Sequence, residues 1–213
     1  MKKILFSAIT ALFCLSVWGA ETNPPPDAAA AKYTAALEGR AAEILKALAL
    51  GDADQAARVH DLIIAQYRAL NAWHNDNDAK LKAAKGDTNA VAQIRATLKT
   101  LHDGFLARLA AKLTPEQVET VKDKMTYGKV QFTMAGYRAQ YPTLAETNQA
   151  AILNLLKQAR EEAMDGGSAA EKTAVFQRYK GRINNYLSQQ GIHAQKPETS
   201  PAAAPAGTAD RPQ

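Results

Sequence analysis

At 213 residues, 46% hydrophobic and 22% charged, the chain has a globular composition and enough length for one core of ordinary size. Its net charge of +5 is spread among interleaved acids, which excludes the clustered basic footprint of a nucleic-acid binder. Its one cysteine, Cys14, excludes a disulfide framework and a thiolate metal site.

Residues 1–20 read as a secretory signal peptide, because Lys2 and Lys3 precede an apolar run that ends in small residues near Gly19 and Ala20. The run is too short to span a bilayer comfortably, and Phe13 before Cys14 argues against lipidation. Cleavage near Gly19 or Ala20 lowers the net charge from +5 to +3, since two lysines leave, and takes the cysteine with them. The expected destination is the periplasm or the outside of the cell. Residues 21–27 (ETNPPPD) form a proline-rich leader, and residues 194–213 are expected to be a disordered tail without large apolar side chains after Ala194. The helical domain expected between them is 28–193.

That domain is expected to be an all-α, single-domain bundle of about six helices. Aromatic residues are only 7%, and alanine-rich stretches favour helices packed through small and aliphatic side chains. Residues 28–50 carry Tyr33, Leu37, Ile44 and Leu48 near helical spacing, with Gly51 as a stop and Gly39 as a place for a bend. Asp52 caps a second helix, and Gln55 is placed to close a capping box. Its stripe is Val59, Ile63, Leu70, Trp73 and Leu81, with a break expected in HNDND, residues 74–78. After the turn at Lys85, Gly86 and Asp87, the residues Val91, Ile94, Leu98, Leu101 and Phe105 repeat at the interval of a helix seam.

Residues 113–191 contain three helix-start signals: Thr114 with Gln117, Thr143 with Glu146, and Ser168 with Glu171. Residues 129–134 alternate like a strand and also recur like a helix; helix is preferred because no second strand is available to pair. Tyr141-Pro142 ends the helix begun at Thr114, and Gly166-Gly167 ends the next. Phe176, Tyr179, Ile183, Tyr186 and Leu187 form the last inward face.

No catalytic constellation, metal site or cofactor motif stands out. His60, His74, His102 and His193 form no pair at ligand spacing on one helix face. Asp76 and Asp78 start like a calcium loop but lack its glycine and its bidentate glutamate. Ser168 in GGSAA reads as a helix cap, and Glu161 and Glu162 point apart. The polar set worth following is Tyr127, Arg138, Tyr179, Lys180, Arg182, Asn185 and Tyr186, with Tyr137, Tyr141 and Asn184 beside it. Tyrosine faces with arginine and asparagine donors can hold a sugar or a carboxylate. The competing reading is that these tyrosines fill the core and the arginines serve helix C-termini.

Two resemblances attach to these residues. LTPEQ at 113–117 resembles the LTxxQ signature of Spy-like periplasmic chaperones, which implies a cradle-shaped helical dimer that holds unfolded clients. LTPEQVETVKDKMTYGKV, Tyr137, AREEAMDGGSAAEK and YKGRINNYLSQQG are similar to a family of secreted bacterial proteins known only as a domain of unknown function. That resemblance implies export and a polysaccharide-utilisation context, and it transfers no catalytic residue. The expectation is an exported, non-catalytic accessory protein whose partner is a glycan or another protein, with no nucleic acid and no membrane after signal cleavage. The alternatives are a Spy-like holdase and a carbohydrate-active enzyme.

Overall fold

In the computed structural model, which describes residues 26–194, the chain forms seven helices. They are α1 (Pro26–Leu48), α2 (Ala53–Ala83), α3 (Thr88–Ala110), α4 (Pro115–Met125), α5 (Lys129–Gln140), α6 (Glu146–Met164) and α7 (Ala169–Gln189). Among the described residues 83% are helical and none is in a strand, so residues 129–134 are helix. The expected signal peptide and all but the first residue of the expected tail lie outside the described residues. The leader's last two residues belong to α1, where Pro26 takes the first helical position and its missing N–H leaves no bond unmade. No described helix is long and apolar enough to cross a membrane.

The chain divides into two compact units, Met1–Ala35 and Ala36–Gln213. The first contributes only the exposed opening turns of α1 to the described residues. All that follows concerns the second.

The seventh helix arises from a break in the expected helix 114–141. Tyr127 (φ 60°) and Gly128 (φ 63°) are both left-handed, and the Gly128 and Tyr127 amides donate back to the carbonyls of Asp123 and Lys124, the hydrogen-bonded way of closing a helix C-terminus. No atom crowds the place of a Cβ at Gly128, so only its backbone resists substitution. Gly128→Ala is therefore expected to lower the unfolding free energy by about 1 kcal/mol, read as a shift in the urea midpoint.

Other local expectations resolve differently. HNDND is helical throughout, because Asn77 donates to the Trp73 carbonyl and His74 is fixed on both ring nitrogens, to Asp78 and to the Asp165 carbonyl. Gly39 lies within a continuous α1. The Thr114–Gln117 box forms with both reciprocal bonds, so LTPEQ is accounted for as a helix start. The Thr143–Glu146 box does not form: a turn carries the Leu144 amide back to the Tyr141 carbonyl, and α6 starts at Glu146 after Ala145. At α7 the Ser168 hydroxyl accepts from the Glu171 amide, but the Glu171 carboxylate takes the Gly167 amide instead of the cap residue's own. Asp52 caps α2, while the Gln55 side-chain amide leaves its helix to donate to the Lys112 carbonyl.

Apolar burial divides into two clusters. The first joins Leu37, Ala41 and Ile44 of α1, Val59, Ile63 and Tyr67 of α2, Phe105 and Leu109 of α3, Val121 and Met125 of α4, and Met164 at the end of α6. The second joins Val130, Met134 and Tyr137 of α5, Ile152, Leu156, Ala159 and Ala163 of α6, and Phe176, Tyr179, Ile183 and Leu187 of α7. Helix α6 separates them. Its small and aliphatic residues at three- and four-residue intervals face the second cluster, while Arg160 and Met164, four apart, lie on another face. The upper half of the α3 seam, Val91 to Leu101, is only half-buried, since α2 is its main cover.

Candidate functional site

Between the two clusters the packing becomes ionic. The Arg160 guanidinium is 3% exposed and donates to Asp123 (2.6 Å), Glu119 and Glu161 (3.3 Å). Lys122 joins the same carboxylates, at 3.1 Å from Glu161 and 3.3 Å from Glu119. Glu161 in turn lies 3.6 Å from Nε2 of His102, whose Nδ1 is 2.9 Å from the Asp165 carboxylate. Asp165 closes the chain of contacts, because its backbone carbonyl accepts from His74 Nε2 at 2.8 Å. Helix geometry sets this arrangement: Glu161 lies four residues before Asp165, the C-cap of α6 with helical backbone angles, so both carboxylates face α3, and the turn at Gly166-Gly167 frees the Asp165 carbonyl for α2.

Lys172 closes the far side of the seam. Its ammonium is 4% exposed, donates to the last carbonyls of α4 and α6 at Met125 and Met164, and stands 5.9 Å from the Tyr67 ring. A cation there complements two helix C-termini at once. Burial nevertheless pushes its pKa down to about 8.

A cleft of about 430 Å³ opens on this seam. Trp73, Leu81 and Leu98 give it an apolar wall; Arg95, Lys99, Asp103 and Glu162 stand around it; and the half-buried His74, His102, Glu161 and Asp165 supply its polar end. Trp73 is held by its indole N–H, which donates to the Thr97 hydroxyl at 2.8 Å, and by edge contact with His74. Hydrogen bonds to Asp165 and Glu161 outweigh burial and raise the His102 imidazole to about 9, so it is an imidazolium at neutral pH. Burial would raise Glu161, but His102, Lys122 and Arg160 overcome it and hold the carboxyl at about 2.

The residues singled out in the sequence lie elsewhere. Tyr127 is half exposed at the α4–α5 turn, beside a smaller cavity of about 360 Å³ with Arg40, Glu43, Tyr67 and Lys124. Arg138 is exposed and donates to Gln149. Tyr137 is buried, stacks on Tyr141 and donates to Asn184 at 2.9 Å, beside Lys180 and the exposed Phe132 in an α5–α7 groove. Tyr179 is buried in the second cluster with the Arg182 guanidinium 4.6 Å over its ring. Tyr186 donates to Asn148 at 2.7 Å, and Asn185 is exposed. The structure thus brings Tyr137, Lys180 and Asn184 together and pairs Tyr179 with Arg182, while Tyr127 stands apart. None of them lines the seam cleft. Its own residues come from α2, α3 and the end of α6, so no spacing within one helix groups them. The signal within one stretch of sequence is the four-residue spacing of Glu161 with Asp165.

A family model described as "Protein of unknown function (DUF3826)" matches residues 34–200, which takes in α2 to α7 and most of α1. No curated protein matches the chain.

Proposed function

We propose a function for a chain that belongs to the DUF3826 family of proteins of unknown function and inherits no assigned activity from it: an exported, non-catalytic accessory protein that binds a saccharide in the seam cleft. One observation carries this reading, the pairing of the Trp73, Leu81 and Leu98 wall with a fixed polar end inside about 430 Å³. Sugar rings present apolar C–H faces and a rim of hydroxyls, and such a wall and such charges match both. The volume lies in the ordinary range for small-ligand sites.

The charge states favour binding over catalysis. A general acid or base works best with a pKa near the working pH. Glu161, held low by His102, Lys122 and Arg160, and His102, held high by Asp165 and Glu161, are both charged near pH 7 and present a fixed ionic end to a ligand's hydroxyls. Four acids (Asp103, Glu161, Glu162 and Asp165) stand against four basic residues (His74, Arg95, Lys99 and His102) around the cleft, a balance that favours a neutral saccharide over a charged one. Export rests on the pattern of residues 1–20, and N-terminal sequencing of protein recovered from the periplasm or medium tests it.

Titration with neutral oligosaccharides by calorimetry is expected to show binding that Trp73→Ala weakens about tenfold or more, the loss of one stacked aromatic wall. Phe132→Ala, in the α5–α7 groove, serves as control and leaves affinity unchanged. If neither a panel of oligosaccharides nor their acidic counterparts bind, or if Trp73→Ala binds as well as the parent, the saccharide reading falls.

A further inference from the structure

Beside the cleft, on the side of His74 that faces α7, three ligand atoms from His74, Asp78 and Glu171 lie within 4.8 Å of one another. Helix α2 supplies His74 and Asp78 at four-residue spacing, and the first turn of α7 supplies Glu171. We propose that these three side chains bind a divalent cation of the zinc class, which clasps α2 to α7.

Two features outside the trio set the ring's orientation. His74 Nε2 donates to the Asp165 backbone carbonyl at 2.8 Å, which commits that nitrogen as the donor and turns Nδ1 toward the carboxylates. An outer carbonyl on the distal nitrogen is the usual companion of a metal-bound histidine, fixing its tautomer and its plane. The ring also lies against the backbone of Gly167, so closely that a Cβ at that position would come within 2.8 Å of Cγ and Cδ2. Gly167 therefore makes room for this ring position, and its own amide holds the Glu171 carboxylate at 2.8 Å.

The distances suit a small ion. Nδ1 lies 3.0 Å from the Asp78 carboxylate and 3.9 Å from that of Glu171. Tetrahedral zinc with ligands at about 2.0–2.1 Å requires ligand atoms about 3.3 Å apart, a value between the two. The Asp78 and Glu171 side chains are about half exposed, 47% and 50%, so Asp78 can draw back and Glu171 can close in on Nδ1 without disturbing the core. One imidazole with two carboxylates selects zinc over calcium or magnesium, which take all-oxygen sets of six or more ligands. Three protein ligands leave a fourth position for water.

The test is calorimetric titration of the tag-free protein with zinc chloride and, separately, calcium chloride. The expected result is one zinc per chain, no competition from millimolar calcium, and a rise in melting temperature with zinc. Asp78→Asn and Glu171→Gln keep the side-chain shapes and are each expected to weaken zinc at least tenfold, with unchanged circular dichroism. His60→Gln is the control for an adventitious surface site, because His60 lies between Glu38 (2.7 Å) and Asp61 (3.2 Å); it is expected to leave the affinity unchanged. Absence of zinc binding, equal affinity in the Asp78 and Glu171 variants, or loss of binding in His60→Gln overturns the proposal. Saccharide binding plays no part in this readout, so the two proposals fail independently.

Discussion

Replacing Arg160 by methionine lowers the unfolding free energy by about 3 kcal/mol, the lower end of what breaking a buried ion pair costs. The residue is 3% exposed and its guanidinium serves three carboxylates from α4 and α6. Methionine preserves most of the volume, so the loss reports charge and hydrogen bonding more than a cavity. What remains is Lys122 and the His102 imidazolium against Glu119, Asp123 and Glu161. The lower figure applies because those carboxylates are 26–43% exposed and recover part of their hydration. Arg160→Lys is expected to restore less than half, since one ammonium cannot reproduce the planar fork that spans Asp123 and Glu119. Urea unfolding of the three proteins measures this. If Arg160→Met falls within about 0.5 kcal/mol of the parent, desolvation already cancels the ion pairs and the seam is held by its flanking apolar clusters.

How far this arrangement could be read in advance depended on whether the deciding contact was local. Thr114, Pro115 and Gln117 specify a helix start through bonds that span three residues, and that start forms with both reciprocal bonds. Ser168 does so in part, since its Glu171 partner has a better donor one residue earlier, at Gly167. Residues 74–78 failed the local reading because asparagine and aspartate compete with the helix backbone. The helix is retained there by a bond to Asp165, 91 residues away, which no spacing in HNDND could announce. The break at Tyr127 was legible in principle from the following glycine, but a non-glycine residue with φ of 60° runs against the default.

Locality also separates the conspicuous tyrosines from the inconspicuous seam. Tyr137 and Tyr179 are conspicuous in a chain with few aromatics, yet they are conspicuous as core residues: both are buried in the second cluster. Burial raises the Tyr137 phenol to about 12, and its hydroxyl stays protonated to serve Asn184. Arg160, Glu161, Lys122 and His102 look in sequence like the solvated faces of ordinary helices. Each helix face taken alone is compatible with water, and only the approach of α3, α4 and α6 makes them partners. The α2–α3 pair then leaves Trp73 and Leu98 half-buried beside those charges, which creates the cleft.

Substituting His102 by asparagine produces a stability loss that depends on pH, and its sign follows from the ring's raised pKa. The folded value of about 9 stands above the ordinary 6.5, so the contribution of His102 is fully present below pH 6.5 and disappears as pH rises through 9. Glu161 works in the opposite sense: its folded value of about 2 lies below the ordinary 4.5, so its contribution is present above pH 4.5 and is lost as pH falls through 2. Both operate together between about pH 4.5 and 6.5, where the gap between parent and His102→Asn is expected to be widest. At about 1.4 kcal/mol per unit the shift bounds the gap near 3 kcal/mol, and the 35% exposure of Glu161 reduces the expectation to about 2 kcal/mol. Lys172 shapes the curves of parent and variant alike. Burial depresses its pKa to about 8, so its penalty eases as pH climbs from 8 through 10.5, partly masking the loss from His102. Because Lys172 is present in both proteins, the difference between their urea-derived stabilities at each pH isolates His102. That difference is expected to shrink to a few tenths of a kcal/mol by pH 9.5. A gap that stays constant from pH 5 to 9.5 would mean that the ring is neutral and acts by packing alone. The polar end of the cleft would then carry one more uncompensated negative charge than the geometry of Asp165 and Glu161 assigns to it.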